Sequence, residues 1–231
     1  MTASTCSTCL RPTVACVCDR VTIYATVRRV LILQHPQEQD AVLGSAQILT
    51  ACLPKAKIVI GLSWPNFAAA LGEEDADPRR WAVLFPDNKN EGDGVRTRKG
   101  DLLDPSKLEG IVVLDGTWSK AKTLWWRNPW LTKLNRMSLT PSQPSIYGSL
   151  RTEPRREFVS TLESVAAALT RCGEDPEIEV GLKRVFRTMV QRVRDAHIIP
   201  KRVRPAFLGK RRPPGPKKPP REGGPPPAPE E

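Results

Sequence analysis

The stretch Ile111-Val112-Val113-Leu114-Asp115-Gly116-Thr117-Trp118-Ser119-Lys120-Ala121-Lys122 decides the fold class. Four consecutive branched apolar residues read as a strand buried on both faces, as in parallel sheets. The run stops at an acidic residue and a glycine. Thr117 or Ser119 then stands ready to cap a helix. In open α/β sheets, ligands bind beyond the carboxyl ends of the strands, so Asp115 falls where chemistry takes place. Trp118 is suited to stack on a base, and Lys120, Lys122 and Arg127 offer phosphate-binding charge on the same helix. The plainer alternative makes Asp115 a helix cap and Trp118 a core residue, and the segment alone leaves both open.

Outward from this unit, similar apolar runs cover residues 30–33, 57–62 and 81–85, with a weaker one at 136–139. Helical spacing marks 41–53, 120–126, 158–169 and 178–196. The alternation predicts an α/β fold with a mainly parallel sheet and flanking helices. Residues 72–80 and 87–106 are polar and read as loops. From residue 200 onward, eleven of 32 residues are proline, interleaved with Lys, Arg and Gly. That composition predicts a disordered basic tail with polyproline II character.

The net charge of +11 suggests a polyanionic partner, since Lys and Arg displace counterions from phosphate backbones. Residues 200–231 hold nine Lys and Arg against three Glu, a net +6, which leaves +5 for residues 1–199. A basic tail without a specific partner therefore accounts for about half of the excess. No run of eighteen apolar residues argues for a membrane span. Met1-Thr2-Ala3-Ser4 leads into cysteines and not into a signal sequence, which points to the cytoplasm. No feature calls for an obligate protein partner.

Four of the six cysteines, Cys6, Cys9, Cys16 and Cys18, fall within thirteen residues. In a reducing compartment such a set serves a metal better than two disulfides or idle thiols. C-x2-C followed by a tight C-x-C can wrap one Zn2+ with four sulfurs and leaves no open position, so the ion would be structural. Residues 1–22 thus read as a small zinc knuckle. Cys52 and Cys172, far apart, read as small apolar residues.

Asp115-Gly116-Thr117-Trp118 resembles the D-x-T-W signature of the DTW-domain family. Further stretches agree in the same order: Cys6-x2-Cys9-x-Arg11-Pro12-x3-Cys16-x-Cys18, His35-Pro36-x-Glu38 and Leu84-Phe85-Pro86. They continue with Ser145-x-Tyr147-x2-Leu150-Arg151 and Ser160-Thr161-Leu162-Glu163-Ser164-Val165-Ala166. Together they span roughly residues 6–170. Where the family usually has an Asn-Thr pair after H-P-x-E, this chain has Gly44-Ser45. Gly116 fills the free position of D-x-T-W and is expected to be without consequence.

The resemblance implies a SPOUT-like, knotted catalytic core over residues 23–199. It also implies transfer of the 3-amino-3-carboxypropyl group of S-adenosylmethionine to N3 of a uridine in tRNA, with release of 5′-methylthioadenosine. Asp115 is then the expected general base for the N3 proton. Leu84, Phe85, Pro86, Leu114 and Gly116 are expected beside the donor. Arg151 or a backbone N–H would hold its carboxylate, and Glu163 or Ser160, with Thr161, its amine. Arg151 reads equally well as a surface charge or phosphate contact. Ser160-Thr161-Leu162-Glu163 also has capping-box character, and His35 reads as structural or as orienting a substrate group. Thr117, Trp118, Lys120, Lys122, Arg127, Arg155 and Arg156, with Arg11 and the basic last helix, make up the expected RNA surface. Trp125 and Trp126 suit stacking but more often belong to a core. Rival readings are an RNA methyltransferase on the same fold, an aminocarboxypropyl enzyme for ribosomal RNA, and a zinc-containing RNA-binding module without catalysis.

Overall fold

A computed structural model describes residues 4–9, 11–39, 42–84, 92–150 and 159–198 of the chain. The branched runs pair as expected. Strands β1 (Arg29–Gln34), β2 (Ala56–Ile60), β3 (Trp81–Leu84), β6 (Gly110–Asp115) and β7 (Asn135–Ser138) lie parallel in the order β2-β1-β6-β3-β7. Two short strands, β4 (Gly94–Arg96) and β5 (Leu102–Leu103), extend the sheet antiparallel beyond β7. They fall in the stretch read above as a loop. With three and two residues and little apolar patterning, they carry no period for a sequence reading to find.

Alternate residues of each central strand feed two separate cores. Val30, Ile32, Ile111 and Val113 face α1 (Ala46–Cys52), α4 (Thr161–Arg171) and α5 (Pro176–Asp195). Leu31, Leu33, Val83 and Val112 face α2 (Phe67–Leu71) and the segment Pro129–Lys133, with Trp125 of α3 (Trp118–Arg127) packed against that side. The chain therefore leaves β1 for one face of the sheet and β6 for the other. Neighbouring strands whose connections part in this way form a topological switch point, where a crevice opens beyond the strand ends.

α1 begins five residues later than the apolar spacing suggests. Gly44-Ser45 serves the fold at its start: the Gly44 carbonyl accepts from Arg11, and Ser45 Oγ accepts from the Leu162 backbone N–H at 3.3 Å. Residues 11–22 pack onto the main body, with Ala15 and Val17 buried in the larger core. Arg192 of α5 reaches the Cys16 carbonyl and pairs with Asp19 at 2.7 Å. Tyr24 lies against Gly181 on α5, where an added Cβ would stand 1.8 Å from the Tyr24 hydroxyl. The proline-rich tail lies outside the described residues.

Candidate active site

Gln34 and Asp115 are the last register pair of β1 and β6, at the switch point. Gln34 Nε2 donates to Asp115 Oδ2 at 2.7 Å, and both side chains are buried. Thr161 Oγ1, in the first turn of α4, donates to Asp115 Oδ1 at 2.6 Å. The carboxylate is thus gripped from a neighbouring strand and from a helix over the strand ends. Asp115 thus has side-chain partners outside α3, at a strand and at a second helix.

A second polar layer lies beside it. Lys120, read from the sequence as a phosphate contact, instead turns inward and pairs with Glu38 at 2.6 Å, both less than one tenth exposed. Helical phase explains this, because 120 and 124 share the inward stripe of α3 while 118, 122 and 126 face away. His35 caps the turn Pro36–Glu38, its Nδ1 accepting from the Gln37 N–H at 3.2 Å. Burial, and then the Lys120 ammonium, holds the His35 imidazole below its usual pKa. Gly116 sits tightly between these groups: a Cβ there would meet Lys120 Cβ at 2.9 Å and His35 Cβ at 3.6 Å. The free position of D-x-T-W is therefore sterically constrained in this chain.

Ser160 and Glu163 form the capping box expected of their spacing. The Glu163 carboxylate accepts from the Ser160 N–H, the Ser145 hydroxyl and the Ile146 N–H, each at 2.9 Å. It is engaged in holding residues 145–146 against α4. Leu84 closes β3 and Leu114 precedes Asp115 on the neighbouring β6, and both are half-buried. Phe85, Pro86, Arg151, Arg155 and Arg156 lie outside the described residues. Arg11 is buried and tied to Gly44, which takes it out of the RNA surface. Lys122 and Arg127 are exposed, and Thr117 is half-buried at the N-cap of α3. Trp118 is 37% exposed, with the Lys122 ammonium 5.8 Å from its ring centre, and Trp126 is 75% exposed. Among the described residues no helix is long and apolar enough to cross a membrane.

The four cysteines converge, with Sγ atoms all within 4.8 Å of one another. Cys6 and Cys18 are 3.9 Å apart and Cys9 and Cys16 3.6 Å, too far for S–S bonds. A tetrahedral ion with sulfurs at about 2.3 Å has edges of about 3.8 Å, which these distances match. The N–H groups of Cys9 and Thr8 hold the Cys6 thiol down at about 6, while burial and the neighbouring sulfurs push Cys18 up to about 12. Such a set keeps its last protons until a cation replaces them. The geometry fits a metal, with no position left for water.

Two pairings of the site escape sequence reasoning. Gln34 and Glu38 reach Asp115 and Lys120 across 81 and 82 residues, and only the parallel pairing of β1 with β6 brings them together. For Gln34 the available signal was a polar residue closing an apolar run; Glu38 already stood in the His35-Pro36-x-Glu38 stretch, though without its partner.

No solved structure matches the chain. The DTW domain matches residues 3–194. A tRNA-uridine aminocarboxypropyltransferase 2 of Macaca fascicularis is 29% identical over 197 residues, covering 80% of this chain and 61% of the relative. The Drosophila melanogaster protein of that name is 30% identical over 190 residues, covering 80% and 72%. The Mus musculus protein is 30% identical over 175 residues, covering 71% and 55%. The chain thus spans about three fifths of the length of the first of these relatives. The match runs from the cysteine cluster through Asp115 to the end of α5, and the chain belongs to the DTW-domain family.

Proposed function

We propose that this protein transfers the 3-amino-3-carboxypropyl group of S-adenosylmethionine to N3 of a uridine in tRNA. The observation that carries the reading is the Asp115 carboxylate, buried at the switch point and fixed by Gln34 and Thr161. The relatives' name supports the same substrate and reaction.

Uridine N3 is a poor nucleophile until its proton leaves. Asp115 takes that proton, and the nitrogen lone pair forms a bond to the γ-carbon of the transferred group. The γ-carbon–sulfur bond breaks, and its electron pair stays on sulfur as the neutral thioether of 5′-methylthioadenosine. S-adenosylmethionine supplies the sulfonium leaving group, whose three carbons are all open to attack. Orientation alone selects among them. Leu84, Leu114 and Gly116 border the crevice, with Ser160 and Thr161 at the facing helix end; Phe85, Pro86 and Arg151 complete the donor site in this reading. Glu163 contributes by holding residues 145–146 against that helix end. A SPOUT-like knotted path belongs to the same reading, supported by membership of the DTW-domain family. The four cysteines hold a structural Zn2+, so metal analysis should find one zinc per chain, lost in Cys9→Ser.

Incubation of the chain with S-adenosylmethionine and tRNA, followed by mass spectrometry of products and nucleosides, tests the proposal. Methylthioadenosine and a modified uridine are expected. S-adenosylhomocysteine would show a methyltransferase, and modified ribosomal RNA with unaltered tRNA would move the substrate. Asp115→Asn should still bind tRNA while losing modification; if the wild type binds without modifying, the chain is a binding module.

A further inference from the structure

Two cationic side chains are buried among the described residues, Lys120 and Arg11. Lys120 has its counter-charge in Glu38. Arg11 has no acidic partner among the described residues. It is 3% exposed, its one acceptor there is the Gly44 carbonyl, which takes a hydrogen bond from Nη2, and its Nε has no partner. Withdrawing a guanidinium from water without an acid beside it is costly, and folded chains ordinarily pair such a charge. The position of this one is specific. Gly44 adjoins Ser45, whose hydroxyl accepts from the Leu162 N–H, and the neighbouring Thr161 donates to Asp115. Arg11 thus extends from the cysteine module to the end of the sheet where the proposed base stands.

We propose that Arg11 holds the α-carboxylate of the 3-amino-3-carboxypropyl group, so that the cysteine module contributes a residue to the donor site. The inference rests on the reaction proposed above. The transferred group carries its carboxylate a short flexible stem away from the γ-carbon that N3 attacks. That carboxylate needs a cation near Asp115 but not on it, and a planar guanidinium can bind both of its oxygens at once. Fixing this end of the donor restricts rotation about the stem and helps to present the γ-carbon in place of the methyl carbon. An RNA phosphate is a poorer occupant, because a folded nucleic acid cannot bring its backbone to a side chain so nearly covered. The sequence pointed to Arg151 for this role, and that residue lies outside the described ones.

The test is calorimetric binding of S-adenosylmethionine and 5′-methylthioadenosine to wild type, Arg11→Met and Arg11→Lys. Methylthioadenosine lacks the amino acid end, so its affinity reports whether the crevice is intact. Arg11→Met keeps much of the bulk and removes the charge. It should bind S-adenosylmethionine about ten- to hundred-fold more weakly and methylthioadenosine as wild type does. Arg11→Lys should recover part of the loss, since it keeps the charge and gives up the fork. Unchanged binding of S-adenosylmethionine by Arg11→Met overturns the proposal, as does a wild type that binds neither probe. An equal loss for both probes also overturns it and makes Arg11 a prop of the corner; a loss of tRNA affinity alone makes it a phosphate contact. Should Arg11→Met fail to fold, the ratio of the two affinities in Arg11→Lys decides in the same way. The two readings fail separately. A selective loss of S-adenosylmethionine, with S-adenosylhomocysteine as the wild-type product, keeps the carboxylate contact and removes the reaction. Modified tRNA with unchanged donor binding by Arg11→Met does the reverse.

Discussion

Gln34 Nε2 lies 2.7 Å from Asp115 Oδ2, so the last residue of one central strand holds the proposed base at the end of the next. Gln34→Leu keeps the apolar bulk and removes the donor. A hydrogen bond to a charged group contributes about 1.5–3 kcal/mol, so turnover should fall about ten- to hundred-fold. The KM for both substrates should hold, because Gln34 is buried behind the carboxylate. Initial rates of methylthioadenosine release measure both parameters. A rise in KM with unchanged turnover would show that Gln34 shapes binding and not the base.

Lys120 and Glu38 form an ion pair with both partners buried. Lys120→Met leaves the Glu38 carboxylate without its cation, and breaking such a pair costs roughly 3–5 kcal/mol. Lys120→Met with Glu38→Gln should recover much of that loss. Denaturant unfolding of the two variants checks the order. Had Lys120 been a phosphate contact, the single variant would keep wild-type stability and lose RNA affinity.

Gly181 sits inside α5, where alanine ordinarily stabilises by about 1 kcal/mol. Here the sign should reverse, because the new Cβ would overlap the Tyr24 hydroxyl. Gly181→Ala should lower the melting temperature by several degrees, and Tyr24→Ala in the same chain should make the alanine tolerable. Calorimetry on the three variants decides it.

Folding depresses the pKa of His35 below its ordinary 6.5 through burial and Lys120. The unfolded chain therefore binds more protons at this residue as the pH drops. The stabilisation is complete above about 6.5 and is lost progressively as acid takes the pH below that value. His35→Asn, which keeps an acceptor for the Gln37 N–H, should flatten the loss of stability between neutral and mildly acidic pH. Urea midpoints at several pH values for both proteins measure the difference. Parallel curves would assign the acid sensitivity elsewhere.

The sheet was legible where branched residues run together. Residues 30–33 and 110–114 needed only their composition to be read as buried strands, and Asp115 stood out because it ends such a run. α2 escaped notice because Phe67–Leu71 is barely a turn longer than noise in any periodicity. Lys120 misled for a different reason: a cation near a proposed site looks like a ligand for phosphate until helical phase and a distant Glu38 turn it inward. Trp126 erred in the opposite direction, since bulk argues for burial and only the fold shows the ring three-quarters exposed. Short-range pattern reveals elements, whereas the polar pairs that fix a site depend on register between strands far apart in the chain.

The grip on Asp115 comes from Gln34 on one side and Thr161 on the other, 81 and 46 residues away. During synthesis the strand that bears the carboxylate emerges well before α4 does. A growing chain therefore carries an Asp115 that only Gln34 can hold, and it gains its second grip when Thr161 and α4 have left the ribosome. The order of the sequence itself thus makes the completed grip on this carboxylate a late event of folding.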